Sequence, residues 1–215
     1  MRKPVKAKRP YDSTRRREQA RATRRAVLDA ARGLFVDRGY ASTSIEAIAA
    51  RAGVSPETVY AVFKSKRALL RELIDVSIAG DDAPVPVLDR SWVQQMRHEK
   101  GITRRLEILA RNGRLILERL APIYDVLRGA AAADRDLVGL SERYKTQRLA
   151  GQTELVRILT AGRPLRKGLT QASAADMLFA IGSPETYSLL VRDCGWSPDL
   201  FERWYAETLR RLLFP

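Results

Sequence analysis
Apolar residues recur at helical spacing along nearly the whole chain and nowhere alternate convincingly at the two-residue period of a strand. Val27, Leu28, Ala31, Leu34 and Phe35 stand at i, i+1, i+4, i+7 and i+8, one face of a first helix. Gly39 falls where a left-handed residue would end that helix, and Tyr40 can pack back on it. The pattern then shortens. Thr43 and Glu46 have the spacing of a capping box, and Ile45, Ile48 and Ala49 form the inward stripe of a short helix. Gly53 marks a tight turn, where positive φ is cheap for glycine alone, and Val54 plugs the corner. Ser55-Pro56-Glu57 opens another short helix anchored by Val59, Val62 and Phe63. Ser65 can cap a fourth, carrying Leu69, Leu70, Leu73 and Ile74.

The stretch from Gly80 to Arg90 has two prolines, paired aspartates and no period, and reads as a linker. Everything after it reads helical. Leu106, Leu109, Ile116 and Leu120 mark one helix with Gly113 inside it, and Pro122 is expected to start another that runs to about residue 132. A long helix is predicted from about residue 134 to 160, broken by the GRPLRKG stretch at 162–168. Ser183-Pro184-Glu185 and Ser197-Pro198-Asp199 repeat one start signal: a serine cap, a proline with no N–H to lose, and an acid at the positive end of the dipole. The predicted fold is all-α. A disordered basic arm at 1–14 precedes a three-helix helix-turn-helix domain at 15–80 and a larger helical domain at 81–215.

Charge sharpens this division. Residues 1–80 hold 18 Lys/Arg against 8 Asp/Glu, whereas residues 81–215 hold 21 against 17, so most of the net charge of +14 sits in little more than a third of the chain. That asymmetry points to a polyanion partner for the N-terminal part, although basic faces are often merely solvated. Cys194 and His98 are the only residues of their kinds, so no internal disulfide and no histidine- or cysteine-rich metal site is expected. No apolar run reaches the ~18 residues of a membrane span, and the basic N-terminus lacks the apolar stretch of a secretory signal. A cytoplasmic location, no membrane partner and no cofactor are expected. No nucleophile elbow, metal triad or phosphate loop is recognisable, which disfavours an enzyme.

Two short helices joined by a glycine turn make a helix-turn-helix, whose second helix enters the major groove of DNA. An ordinary αα-corner uses the same glycine and caps. The basic first helix, the arm, and Lys64, Lys66 and Arg67 around the start of the fourth helix favour the DNA-binding reading. From about Arg17 to Ile78 the chain resembles the DNA-binding domain of the TetR family of transcriptional regulators. The resemblance is carried by Leu34-Phe35, Gly39-Tyr40, TSIEAIAARAGVS from Thr43 to Ser55, Thr58-Val59-Tyr60 with Phe63, and Lys64-Ser65-Lys66 with Leu69-Leu70.

The resemblance implies that Tyr60 and Lys66 touch phosphates and that Thr43 holds the first motif helix against the backbone; Tyr60 as a mere packing residue is the plainer alternative. The expected DNA-facing set is Thr43, Ser44, Ser55, Pro56, Glu57, Thr58, Tyr60, Ala61, Lys64 and Lys66. Base reading would fall to Ser55, Glu57, Thr58 and Ala61. Glu57 can accept from a cytosine amine or serve only as a dipole partner, and Ala61 can meet a thymine methyl. Glu57, Ala61 and Val62 depart from the residues common in the family, which leaves operator sequence open. Arg15, Arg16 and Arg17 are expected to supply arm contacts to the minor groove or phosphates.

For the C-terminal part, the resemblance implies ligand binding and dimerisation. Asn112, Gly113, Tyr124, Tyr144, Gln147, Met177 and Phe179 are candidate pocket residues, although residues of these kinds are more often core than ligand contacts. Phe201, Trp204, Tyr205 and Leu209 are the candidate dimer contacts, again with a plain core as the alternative. The expected function is a sequence-specific repressor, a homodimer on a palindromic double-stranded operator, released by a small-molecule effector. A non-specific, nucleoid-type DNA-binding protein without a ligand is the alternative, since the charge alone would support salt-sensitive binding.

Overall fold
A computed structural model describes residues 13–81 and 85–215. Most of the expected arm lies outside the described residues; its last two residues already belong to the first helix. The helices are α1 (Ser13–Arg38), α2 (Ile45–Ala52), α3 (Pro56–Phe63), α4 (Lys66–Ala79), α5 (Ser91–His98), α6 (Ile102–Ala131), α7 (Arg135–Leu159), α8 (Gln171–Ile181), α9 (Pro184–Tyr187) and α10 (Pro198–Leu213). A 3₁₀ turn at Val87–Asp89 precedes α5, and α9 widens into a π-helical turn at Ser188–Asp193. No strand occurs among the described residues, as the hydrophobic period requires.

The serine caps form as the sequence predicts. Ser183 accepts from Thr186 N–H and Ser197 from Leu200 N–H. Pro122, however, does not start a helix: it lies inside the 30 residues of α6. Proline removes one N–H from the ladder and crowds the carbonyl four residues back. The helix persists because both flanks are locked in the core, with Ala121 and Ile123 fully buried. Beside the proline, the Arg119 carbonyl accepts a guanidinium N–H from Arg32 at 2.9 Å.

Two cores result. One joins the buried faces of α1 to α4 with Leu120, Ile123, Tyr124 and Leu127 of α6 and Leu137 and Tyr144 of α7. The other joins α5 to α10, including Met96, Leu106, Leu109, Val156, Leu159 and Phe201. The chain passes from the first region to the second at Gly80, a left-handed cap with φ 87°, close to the predicted linker, but the packing of α4 continues onto α6. Arg90 closes the segment beyond by a two-pronged bond to Asp81 at 2.7 and 2.8 Å.

The final helix corrects an expectation. Phe201, Tyr205 and Leu209 follow one another at four-residue spacing and, with Leu213, are buried in the chain's own core, so they are not available to a second copy. Two glycines admit Tyr205: a Cβ on Gly113 would stand 3.1 Å from its ring, and one on Gly182 would stand 2.3 Å from its hydroxyl. Of the four residues proposed for the dimer, only Trp204 keeps part of its surface.

A polar knot ties the N-terminal helices to α6. Arg32 donates to the Ser77 hydroxyl at 2.6 Å as well as to the Arg119 carbonyl, and Arg119 Nε donates to the Ser77 carbonyl at 3.0 Å. Ser77 is fully buried and donates its own hydroxyl hydrogen bond to the Leu73 carbonyl. Arg32→Ala should therefore cost about 3 kcal/mol in urea unfolding, from two lost charge-assisted bonds. Arg32→Lys should recover less than half, because an ammonium does not reproduce the fork. The exposed pair of Arg210 with Glu207 is the comparison; Arg210→Ala should leave the urea midpoint essentially unchanged, because solvent screens an exposed pair.

Candidate nucleic-acid interface
The turn between α2 and α3 is built by three backbone devices. Ser44 caps α2, accepting from Ala47 N–H at 3.1 Å. Gly53 ends it with φ 69°, and its N–H reaches the Ala49 and Ala50 carbonyls. Ser55 caps α3, accepting from Thr58 N–H at 3.3 Å, with Pro56 in the first turn. Val59 and Phe63 anchor α3 in the core, with Val54 and Val62 packed at its edge. Helical geometry then leaves Ser55, Glu57, Tyr60, Ala61 and Lys64 exposed, with Pro56 and Thr58 half-buried between them. Tyr60 is 47% exposed, far more than a core tyrosine, which removes packing as the reason for its ring. The Glu57 carboxyl is held below its ordinary pKa by the Ser55 hydroxyl and its own backbone N–H, so it is an anion committed to the helix start.

Thr43 and Lys66 are placed differently from the expectation. Thr43 is not the cap of α2; that cap is Ser44. It is buried, 1% exposed, and its hydroxyl lies 2.8 Å from the Gly39 carbonyl and 3.2 Å from that of Leu34. It thereby ties the turn after α1 to that helix's last turn, and its side chain is enclosed rather than presented on the surface. Lys66 is the first residue of α4, and its ammonium turns inward. Nζ donates to the Tyr40 and Thr43 carbonyls at 3.0 and 2.9 Å and lies 4.3 Å from the centre of the Tyr40 ring. Burial lowers its pKa. Lys66 thus clamps the α1–α2 turn to the start of α4, directly behind the recognition helix. Sequence alone concealed this, because a lysine in a basic motif reads as a phosphate ligand.

Lys64 carries the charge at the exposed end of α3. It has φ 65°, the only positive value of a non-glycine among the described residues, and donates to the Ala61 carbonyl at 3.0 Å. Arg67 turns away from α3 to pair with Asp136 of α7. Arg15, Arg16 and Arg17 are exposed on the first turns of α1 and so belong to a helix, not to an extended arm. A helix about 10–12 Å wide does not enter a minor groove about 6 Å wide, so these residues suit phosphates. Further along the same helix, Arg24 pairs with Glu72 and stacks on Phe63, and Arg32 reaches Ser77.

The proposed pocket residues do not form one lining. Tyr144 is committed to α4, donating to Asp75 Oδ1 at 2.6 Å and close to the Arg71 carbonyl at 3.1 Å; burial and Asp75 raise its pKa strongly, so the phenol keeps its proton. Gln147 is exposed, because it lies a third of a helical turn from the inward face that Tyr144 and Arg148 share. Asn112 is half-buried and satisfies the Ile108 carbonyl, while Gly113 receives Tyr205. Tyr124 is buried, Met177 is half-buried, and Phe179 stacks beneath Arg148. Among the described residues no group of His, Cys, Asp and Glu is arranged to hold a metal, and no helix is long and apolar enough to cross a membrane.

The clamp and the exposed lysine should separate experimentally. Lys66→Ala should lower stability by about 2 kcal/mol through two lost charge-assisted bonds and the ring contact. Lys64→Gly should raise stability by up to about 1 kcal/mol by relieving the positive φ. Denaturant melts of the two variants check both signs.

Residues 27–73 match the family described as bacterial regulatory proteins, tetR family. The HTH-type transcriptional regulator YdeS of Bacillus subtilis, itself uncharacterised, is 29% identical over 184 residues, covering 83% of this chain and 84% of that protein. Among solved structures, NalD of Pseudomonas aeruginosa, the secondary repressor of the MexAB-OprM multidrug efflux pump, is 25% identical with a TM-score of 0.66, covering 92% of this chain and 98% of its own. SmeT in complex with triclosan shares the fold at 22% identity and a TM-score of 0.67, covering 90% of this chain and 92% of its own. Residues 27–73 thus carry the helix-turn-helix domain of the tetR family of bacterial regulatory proteins, and the chain is a TetR-type helix-turn-helix transcriptional regulator.

Proposed function
We propose that the chain is a dimeric repressor that reads a palindromic operator with α3 and is released from it by a small molecule bound in the C-terminal helices. The observation that carries the reading is the exposed face of α3. Ser55, Glu57, Thr58, Tyr60, Ala61 and Lys64 are presented together on a helix whose opposite side is anchored at Val59 and Phe63. In this reading Ser55, Pro56, Glu57, Thr58 and Ala61 face base edges at the start of the helix. Tyr60, Lys64, the capped start of α2 at Ser44, and Arg15 to Arg17 grip phosphates. Lys66 and Thr43 contribute by holding the turn behind that face, not by side-chain contact. NalD, which is a repressor, and SmeT, which was solved with triclosan, support a repressor fold with room for an effector.

Two copies would place their recognition helices about 34–36 Å apart, one turn of DNA. With Phe201, Tyr205 and Leu209 internal, the apolar surface left near the last helix is Leu189, 55% exposed, Leu200, 38% exposed, and part of Trp204. That surface is the proposed contact between copies, and the double variant Leu189→Glu with Leu200→Glu should sediment as a folded monomer and bind operator weakly.

Anisotropy on a labelled fragment from upstream of the protein's own gene, with excess unrelated DNA, tests the main claim. A specific regulator should prefer one palindrome by about 10³-fold or more. Tyr60→Ala should weaken all DNA about equally, while Lys64→Ala should flatten the salt slope by about one. Loss of all binding under competitor, across fragments from the whole genome, would instead favour a protein that coats DNA without reading it.

A further inference from the structure
Among the described residues, four buried side-chain polar atoms lack a hydrogen-bond partner, and three of them belong to one cluster: Arg148 Nε, Gln152 Oε1 and Glu185 Oε2. Arg148 and Gln152 are four residues apart on α7 and so share a face. Glu185, at the start of α9, comes within 3.9 Å of Arg148 Nη2, near enough for charge attraction but not for a hydrogen bond. The guanidinium lies 3.7 Å from the centre of the Phe179 ring and donates through Nη1 to the Phe179 carbonyl at 2.9 Å. Its side chain is only 17% exposed. Leaving buried polar atoms unpaired is costly, and three in one place is a concentration that close packing alone does not produce.

The atoms specify a complement. Two are acceptors, the glutamate and amide oxygens, and one is a donor, the guanidinium N–H. A carboxylate would satisfy Arg148 but would bring a second negative charge to Glu185 and offer it no proton. An ammonium would serve the two acceptors but repel Arg148 and leave its N–H unmet. A primary carboxamide or urea group carries two N–H donors and one carbonyl without net charge. Around it, Phe179 and the buried Tyr124 supply aromatic surface for an apolar body. The geometry points to a small-molecule site at Arg148, Gln152 and Glu185 that takes a neutral carboxamide or urea group on an apolar body. This names the class of effector and rests on the effector reading above.

The test uses the full chain without DNA and four matched probes: phenylacetamide, phenylacetate, phenethylamine and N,N-dimethyl-phenylacetamide. Titration calorimetry and thermal shift should show phenylacetamide binding about tenfold or more tighter than the other three. Gln152→Leu and Glu185→Ala should each remove most of that preference, with the variants' own melting curves recording that they fold. Equal binding of all four probes, or a preference that survives both substitutions, overturns the site. If no probe binds, the three atoms are satisfied by water, and the inference fails. Release of DNA is read separately: a carboxamide that binds as stated yet leaves the protein on its operator supports the site and counts against the effector reading.

Discussion
Three short helices around a glycine turn bury too little surface to hold a recognition helix still, and here they do not have to. The apolar faces of α1 and α4 meet Leu120, Ile123, Tyr124 and Leu127 of α6 and Leu137 and Tyr144 of α7 in one continuous core. The core beneath the helix-turn-helix is therefore shared with α6 and α7. Close-packed interiors do not deform smoothly, so the position of α4, and of α3 carried on it, depends on how α6 and α7 are set. The Arg32–Ser77–Arg119 knot reinforces this at the far end of α4, where the proline in α6 would otherwise leave a weak point.

At the near end of α4 the constraint is electrostatic. Residues 39–43 must turn sharply between α1 and α2, and their carbonyls have no helical partners. Thr43 reaches the carbonyls of Leu34 in α1 and of Gly39 just beyond it, and the Lys66 ammonium answers those of Tyr40 and Thr43 themselves. Both are charged or polar groups spent on backbone, not on DNA. On the exposed face of α3, by contrast, the Ala61 side chain is held by nothing in the fold, and Glu57 interacts only with the start of its own helix.

Much of this was legible in the sequence. The helical period fixed the class, and the positions of Ser55, Ser65, Ser183 and Ser197 marked helix starts, because a cap is a local rule that needs no tertiary partner. Gly39, Gly53 and Gly80 marked turns for the same reason, all with positive φ. What escaped was decided at long range. Pro122 stays inside α6 because its flanks are locked by other helices. Phe201, Tyr205 and Leu209 look alike as interface or core until α6 is seen to cover them. Lys66 reads as a phosphate ligand until carbonyls more than 20 residues away are brought to it. Arg148, Gln152 and Glu185 look like an ordinary solvated helix face and an N-terminal acid; only burial makes them unusual.

The spacing along α7 connects these parts. Tyr144, Arg148 and Gln152 stand at i, i+4 and i+8, one face of a single helix, roughly 6 Å apart per step at 1.5 Å per residue. The first holds α4 through Asp75 and the Arg71 carbonyl, and the next two carry the unpaired polar atoms. A ligand drawn to Arg148 and Gln152 thus acts on the same rigid rod that fixes α4, about one turn from the contact. Binding there changes DNA affinity only to the extent that the ligand prefers one setting of α7 over another, since equal affinity for both shifts nothing. The same limit runs in reverse: DNA that selects one setting of α4 must alter ligand affinity by the same factor. With one helix carrying both contacts, a change in the setting of α7 reaches α4 through the core that the two share.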